Sequence, residues 1–135
     1  MRAKDSMSRQ VETIDENALL QEAAEKMHRG GFHHLVVTCK GKICGVLSET
    51  DILRHRAKYA DMDALRNPVS HAMTAKIVTI SPDEPLPAVA AKLLEHRVSC
   101  LPVVEDGELL GLVTRTDIVR WVAEQGAHGA LAEGA

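Results

Sequence analysis

Displaced by 66 positions, the chain falls on itself without a gap. Met7 lands on Met73, Thr13 on Thr79, Ile14 on Ile80, Leu20 on Leu86, Ala24 on Ala90 and Lys26 on Lys92. Leu35 meets Leu101, Val37 meets Val103, Gly41 meets Gly107 and Gly45 meets Gly111. The run Thr50-Asp51-Ile52 meets Thr116-Asp117-Ile118, and Arg54 meets Arg120. Identities at one constant offset, with the same apolar pattern between them, mean two copies of one supersecondary unit. A unit of about 50 residues is too small for a secure core. The expectation is therefore two copies packed sheet against sheet, related by a pseudo-two-fold axis and burying one shared interior.

Both copies read as β-α-β-β-α, an α/β (α+β) fold. Val11-Glu12-Thr13-Ile14 and Ile77-Val78-Thr79-Ile80 are short, β-branched and extended. Leu20, Ala23, Ala24 and Met27, and then Leu86, Val89, Ala90 and Leu93, recur at helical spacing. Pro82, Pro85 and Pro87 stand before or within the first turn of the second of these helices, where a missing N–H costs little. Strands are expected at 35–39 and 43–48, and again at 101–104 and 109–114, each pair joined by a Gly-containing turn. A last helix begins at Ser48/Glu49 and at Thr114/Arg115. The boundaries predicted are 4–55 for repeat 1, 56–69 for a polar connector, 70–122 for repeat 2 and 123–135 for a flexible, Gly/Ala-rich tail.

Composition narrows the function classes. The 135 residues carry a net charge of −3, which argues against a dedicated nucleic-acid binder and gives no reason to expect an anionic membrane as partner. Phe32, Tyr59 and Trp121 are the only aromatics, leaving little for bases to stack on. The longest apolar run, Leu109–Val113, is far short of a transmembrane helix. The N-terminus shows no signal-peptide pattern, and three cysteines form no even framework, so a reducing cytoplasm is expected. No P-loop, His-Glu-x-x-His or Gly-x-Ser-x-Gly motif is present, and no catalytic role is expected.

The repeated polar residues suit a nucleotide. A carboxylate can accept hydrogen bonds from two adjacent ribose hydroxyls, and Asp51 and Asp117 stand one turn into a helix. Phosphate seeks hydroxyls and the free N–H groups of a helix N-terminus, which Ser48 and Thr50, or Thr114 and Thr116, supply. Arg115 adds a cation in the second copy, where the first has Glu49. The same Ser/Thr-x-x-Asp spacing is also an ordinary helix start.

The duplicated unit, with Met7-Ser8 and Met73-Thr74 at its two starts, resembles a pair of CBS domains. The stretches Leu35-Val36-Val37…Gly45-Val46-Leu47-Ser48-Glu49-Thr50-Asp51-Ile52 and Leu101-Pro102-Val103-Val104…Gly111-Leu112-Val113-Thr114-Arg115-Thr116-Asp117-Ile118 carry the likeness. The resemblance covers roughly residues 4–122 and implies a regulatory module of the stand-alone kind. Such a module binds AMP, ADP, ATP or S-adenosylmethionine in the cleft between repeats, with no cofactor required, and often forms a homodimer. It further implies that Ser48, Thr50, Asp51, Thr114, Thr116 and Asp117 meet ribose and phosphate. It places the adenine edge against Val11, Thr13, Ile77 and Thr79, and turns His33 and His34 toward phosphate. The alternative is a ligand-free assembly module docked on a separate enzyme or transporter, which Glu49 and the sparse cations favour. His33, His34, Cys39 and Cys44 bring zinc to mind, but the two hairpin cysteines lack a second pair, and no metal is expected. Arg54-His55-Arg56 with Lys58 reads as a solvated helix end.

Overall fold

The computed structural model describes residues 1–60 and 63–132, with the backbone alone for 126–132. In chain order the elements are α1 (Ala3–Ser6), β1 (Thr13–Asp15), α2 (Leu20–Gly30), β2 (His34–Cys39), β3 (Lys42–Ser48), α3 (Glu49–Lys58), α4 (Leu86–His96), β4 (Cys100–Glu105), β5 (Glu108–Thr114) and α5 (Arg115–Ala132). Single 3-10 turns at Ala64–Arg66 and Val69–His71 lie between α3 and α4. The first repeat has the expected β-α-β-β-α order; the second has α-β-β-α, without a regular first strand. The helix at 3–6 was not foreseen.

The chain forms two compact units, Val11–Ile77 and Met1–Gln10 with the chain from Val78 on. In the first, β1 runs parallel to β2, pairing Thr13 with Val36, and β2 runs antiparallel to β3, pairing His34 with Ser48. Leu20, Ala23 and Met27 of α2 join Ile14, Leu35, Val37, Leu47, Ile52 and Val69 in one core. Each fully buried leucine there contributes about 1.5–3 kcal/mol. In the second unit β4 and β5 pair antiparallel, Cys100 with Thr114. Leu86, Val89 and Leu93 of α4 pack with Ala3, Ile80, Leu101, Val103 and Val113.

Both hairpins turn on two residues of positive φ, Lys40 (51°) with Gly41 (79°) and Asp106 (51°) with Gly107 (78°). That is the type I′ geometry whose twist matches the flanking strands.

The extended piece expected at Ile77–Ile80 is not a regular strand; it reduces to a parallel bridge between Ile80 and Val103. Pro102 explains the loss. Its counterpart Val36 donates its N–H to Glu12 O at 3.0 Å, and a proline has no N–H to give. The bonds that survive run from Ile80 N–H to Pro102 O and from Val104 N–H to Ile80 O.

The stretch read as a polar connector docks instead. Ala64 and Val69 are buried, Leu20 N–H donates to Asn67 O, and Val69 N–H donates to Ala18 O. The α2 N-terminus, whose cap residue Leu19 offers no side-chain acceptor, gains one from that backbone. Asp61, also assigned to the connector, lies outside the described residues. The second unit repeats the device with residues 66 positions earlier: Leu86 N–H donates to Met1 O, and Ala3 is buried as Val69 is.

The start of each sequence repeat thus serves the other repeat's hairpin. Ser8 bridges Leu112, and Thr74 bridges Val46. Within the stretch 123–135 read as a flexible tail, α5 continues as far as Ala132. Residues 133–135 lie outside those described.

Candidate functional site

The hydroxyl-to-carboxylate pattern forms a reciprocal cap in both units. Ser48 is the N-cap of α3: its Oγ accepts from Asp51 N–H at 3.1 Å, and its own N–H donates to Asp51 Oδ2 at 2.8 Å. In the second unit Thr114 N–H donates to Asp117 Oδ2 at 2.8 Å. The Thr114 hydroxyl donates to the same oxygen at 3.1 Å while accepting from Asp117 N–H at 3.3 Å.

The other carboxylate oxygens face cations one turn on. Asp117 Oδ1 takes Arg120 Nη1 at 3.2 Å, and Asp51 Oδ1 has Arg54 Nη1 at 3.7 Å. Both carboxylates are largely covered, 11% and 13% exposed for Asp51 and Asp117. A carboxylate has about four acceptor positions. Capping therefore leaves Oδ1 of each aspartate able to accept a ligand hydroxyl.

The remaining expected residues fall in different settings. His33 sits beside the start of α3, its Nδ1 3.0 Å from Glu49 Oε2, and its carbonyl accepts from Glu49 N–H. Glu49, which stands where the second copy has Arg115, is thus held against His33. His34 pairs with Ser48 in the β2–β3 register. Thr50, Arg115 and Thr116 are exposed at the first turns of α3 and α5. Arg115 N–H donates to Ser99 O, as Glu49 N–H does to His33 O. Thr13 lies in β1 and Val11 just before it, while Ile77 and Thr79 are exposed in irregular chain ahead of Ile80. Among the described residues no hydrogen bond links Val11 or Thr13 to Ser48, Thr50 or Asp51.

Beside Asp51 the first unit has a concavity of about 180 Å³, lined by Asp51, Arg54, His55, Lys58 and His71 among others. It is smaller than the roughly 300 Å³ at which whole-ligand pockets begin. His55 departs from the expected solvated helix end: it is buried, and its Nε2 lies 3.0 Å from Asn67 Nδ2. With that amide donating, Nε2 is the unprotonated nitrogen. Burial first, then His71 and Lys58, hold its pKa below the ordinary 6.5. The run of basic letters at 54–58 carried this signal, but only the fold turns part of it inward.

Away from the caps, the fold brings Glu16 to the two hairpin cysteines. Cys39 Sγ donates to Glu16 Oε1 at 3.0 Å, and Cys44 Sγ lies 3.8 Å from Glu16 Oε2. The bond to Glu16 pushes the Cys39 thiol up to about 11, and burial raises that of Cys44. Glu16 escaped the sequence reading because it is 23 residues from Cys39 and belongs to no motif.

Among the described residues no helix is long and apolar enough to cross a membrane. The CBS domain-containing protein YhcV of Bacillus subtilis (strain 168) is 32% identical over 130 residues, 95% of this chain and 91% of that protein. The L-aspartate semialdehyde sulfurtransferase of Methanosarcina acetivorans is 32% identical over 124 residues. That match takes in 90% of this chain but 24% of the relative, so the chain spans about a quarter of that protein's length.

Among solved structures, the CBS-domain containing protein ATU1752 from Agrobacterium tumefaciens is similar at a TM-score of 0.82 and 26% identity, covering 90% of this chain and 98% of that one. The CBS domain pair of protein MJ0100, in complex with 5′-methylthioadenosine and S-adenosyl-L-methionine, is similar at 0.80 and 28% identity, covering 93% and 98%. The model of the CBS domain matches residues 3–58 and again 69–124, the same duplication that the 66-residue offset exposes, and the chain belongs to the CBS domain family.

Proposed function

We propose that the chain is a regulatory module that senses an adenosine-containing ligand, AMP, ADP, ATP or S-adenosylmethionine, and that it binds rather than catalyses. The observation that carries this reading is the duplicated cap, in which Asp51 and Asp117 are held in place through Oδ2 while Oδ1 takes no part in the cap and faces Arg54 or Arg120. Asp117, Thr114, Thr116 and Arg115 form the stronger set. Asp51, Ser48 and Thr50, with His33 and His34 nearby, form the second. Val11, Thr13, Ile77 and Thr79 are the adenine-facing candidates. The MJ0100 pair, 28% identical, was crystallised with two adenosyl compounds, which supports this class of ligand. Regulation then requires that the ligand bind two arrangements of the protein with different affinity.

A second reading is an assembly module. Leu53 of α3 and Val119 of α5 are equivalent under the offset, and both are large apolar residues left 64% and 66% exposed. Helix faces of that kind fit a homodimer or a separate target protein.

Thermal unfolding with AMP, ADP, ATP, S-adenosylmethionine and 5′-methylthioadenosine separates the two readings. A ligand at about 100 times its dissociation constant adds roughly 2.7 kcal/mol, a rise of several degrees in a domain of this size. Asp117→Asn leaves an amide oxygen for the cap but removes the charge and puts an NH2 donor in place of the second acceptor oxygen, so the ligand-induced rise shrinks. Asp117→Ala also loses the cap and costs about 1 kcal/mol without ligand. No rise with any ligand at millimolar concentration, together with a stable dimer or a single co-purifying protein, favours the assembly module.

A further inference from the structure

We propose that Glu16, Cys39 and Cys44 form a binding site for a thiophilic metal ion of the zinc(II) class, separate from the caps of α3 and α5. The three donor atoms come from three places in the first unit. Glu16 directly follows β1 and is held by its backbone, its N–H donating to Thr38 O at 2.9 Å and its carbonyl accepting from Ser70 N–H at 3.0 Å. Cys39 ends β2. Cys44 sits in β3 where the register shifts: Val37 pairs with Gly45 and Thr38 with Ile43, leaving Cys44 as the extra, bulged residue. A bulge re-aims the side chain that it carries.

The geometry is close to what a tetrahedral ion needs. With metal–sulfur bonds of about 2.3 Å and metal–oxygen bonds of about 2.0–2.2 Å, neighbouring ligand atoms stand roughly 3.5–3.8 Å apart. Here the sulfur-to-carboxylate distances are 3.0 and 3.8 Å, and all three donors lie within 4.8 Å of one another. Side-chain shifts of about 1 Å or less bring them onto one ion. All three residues are half-buried, so the site is sheltered yet open to entry. The two cysteines, with four residues between them across a tight turn, fall within the spacing that zinc sites use. Two thiolates select a soft or borderline ion over magnesium or calcium. Binding releases the two thiol protons to solvent and leaves a fourth coordination position for water or an outside donor.

The duplication supplies an internal control. At the positions equivalent to Glu16, Cys39 and Cys44 the second repeat has Pro82, Glu105 and Leu110. Its hairpin keeps the same turn and the same register shift, here between Val103 and Val104. The fold therefore does not require two cysteines and an acid at this corner, and the trio is an addition specific to the first repeat.

The test uses the full chain, reduced and stripped with a chelator, then titrated with cobalt(II) and afterwards zinc(II). One equivalent of cobalt per chain should bring up sulfur-to-cobalt charge-transfer absorption in the near ultraviolet, and zinc should abolish it. Cys39→Ser and Cys44→Leu, the latter taking the residue that the second hairpin carries, should each lose the band while keeping the native circular dichroism. Glu16→Gln should weaken binding roughly tenfold or more, and Cys100→Ala should leave it intact. The proposal is overturned by the absence of the band, by a band that survives both Cys39→Ser and Cys44→Leu, or by freshly isolated protein in which Cys39 and Cys44 are joined as a disulfide.

Discussion

His55 shows how much a single side chain depends on what the fold packs around it. In the sequence it is one letter of a basic run; in the structure it is 7% exposed and accepts a hydrogen bond from Asn67. Protonation would turn that acceptor into a donor facing a donor, in a site where His71 and Lys58 already disfavour positive charge. Its folded-state pKa lies below 6.5, so as pH falls the unfolded chain takes up the proton first. Stability contributed by neutral His55 is thus present above about pH 6.5 and is lost as pH drops below that value. The loss stops once pH passes the folded-state pKa. Chemical denaturation between pH 7.5 and 5 should show a decline of at most about 1.4 kcal/mol per pH unit from this group. His55→Gln retains an acceptor for Asn67 and does not titrate, so it should flatten the decline. An unchanged slope in the variant would assign the pH dependence to other groups.

At the scale of elements, Gly45 and Gly111 mark where an incoming segment touches a strand. A methyl group at Gly111 would meet Ser8 O at 2.6 Å and Met7 Sδ at 2.9 Å; at Gly45 it would meet Thr74 O at 2.8 Å and Met73 Sδ at 2.9 Å. The methionine can swing aside, but the carbonyl belongs to a paired backbone and cannot. Gly111→Ala and Gly45→Ala should each cost about 1–3 kcal/mol, read as a lower denaturation midpoint. Gly111→Ala should be the worse because its contact is tighter. The recurring Met-Ser/Thr and Gly letters were visible as matches at one offset, and so were the helix stripes, the hairpins and the caps. The match says which residues correspond, not which copy a segment packs against, so Met7 read as part of repeat 1 although it packs with Gly111. Two further features stayed hidden for the same kind of reason. Pro102 reads as one substitution in a strand, yet its missing N–H removes a ladder bond from Val78. Glu16 has no motif, and only the chain's return along β2 brings it to Cys39.

For the molecule as a whole, the exchange of start segments means that the sequence repeat and the cooperative unit are different objects. Residues 1–10 contribute the buried Ala3, the packed Met7 and the Ser8–Leu112 bridge to the unit that contains β4 and β5. They also satisfy backbone groups there: Ala3 N–H donates to Glu84 O at 2.8 Å, Lys4 N–H to Pro82 O at 2.9 Å, and Leu86 N–H to Met1 O at 3.0 Å. Removing these ten residues exposes apolar surface on α4 and β5 and leaves the first turn of α4 without its backbone acceptor. The loss of buried side chains and paired groups should total roughly 3–5 kcal/mol. Its location discriminates more sharply than its size. Hydrogen exchange on the truncated chain should show lost protection in α4 and in Glu108–Thr114, with Lys42–Ser48 close to its original protection. A chain whose cooperative units coincided with its sequence repeats would behave in the opposite way, because residues 1–10 would then stabilise the hairpin that follows them directly. If β2 and β3 lose protection first, the exchange described here does not exist in solution. If β5 and α4 lose it first, the amino-terminal segment is structurally part of the second half, and a change that loosens residues 1–10 acts on Thr114 and Asp117 rather than on Ser48 and Asp51.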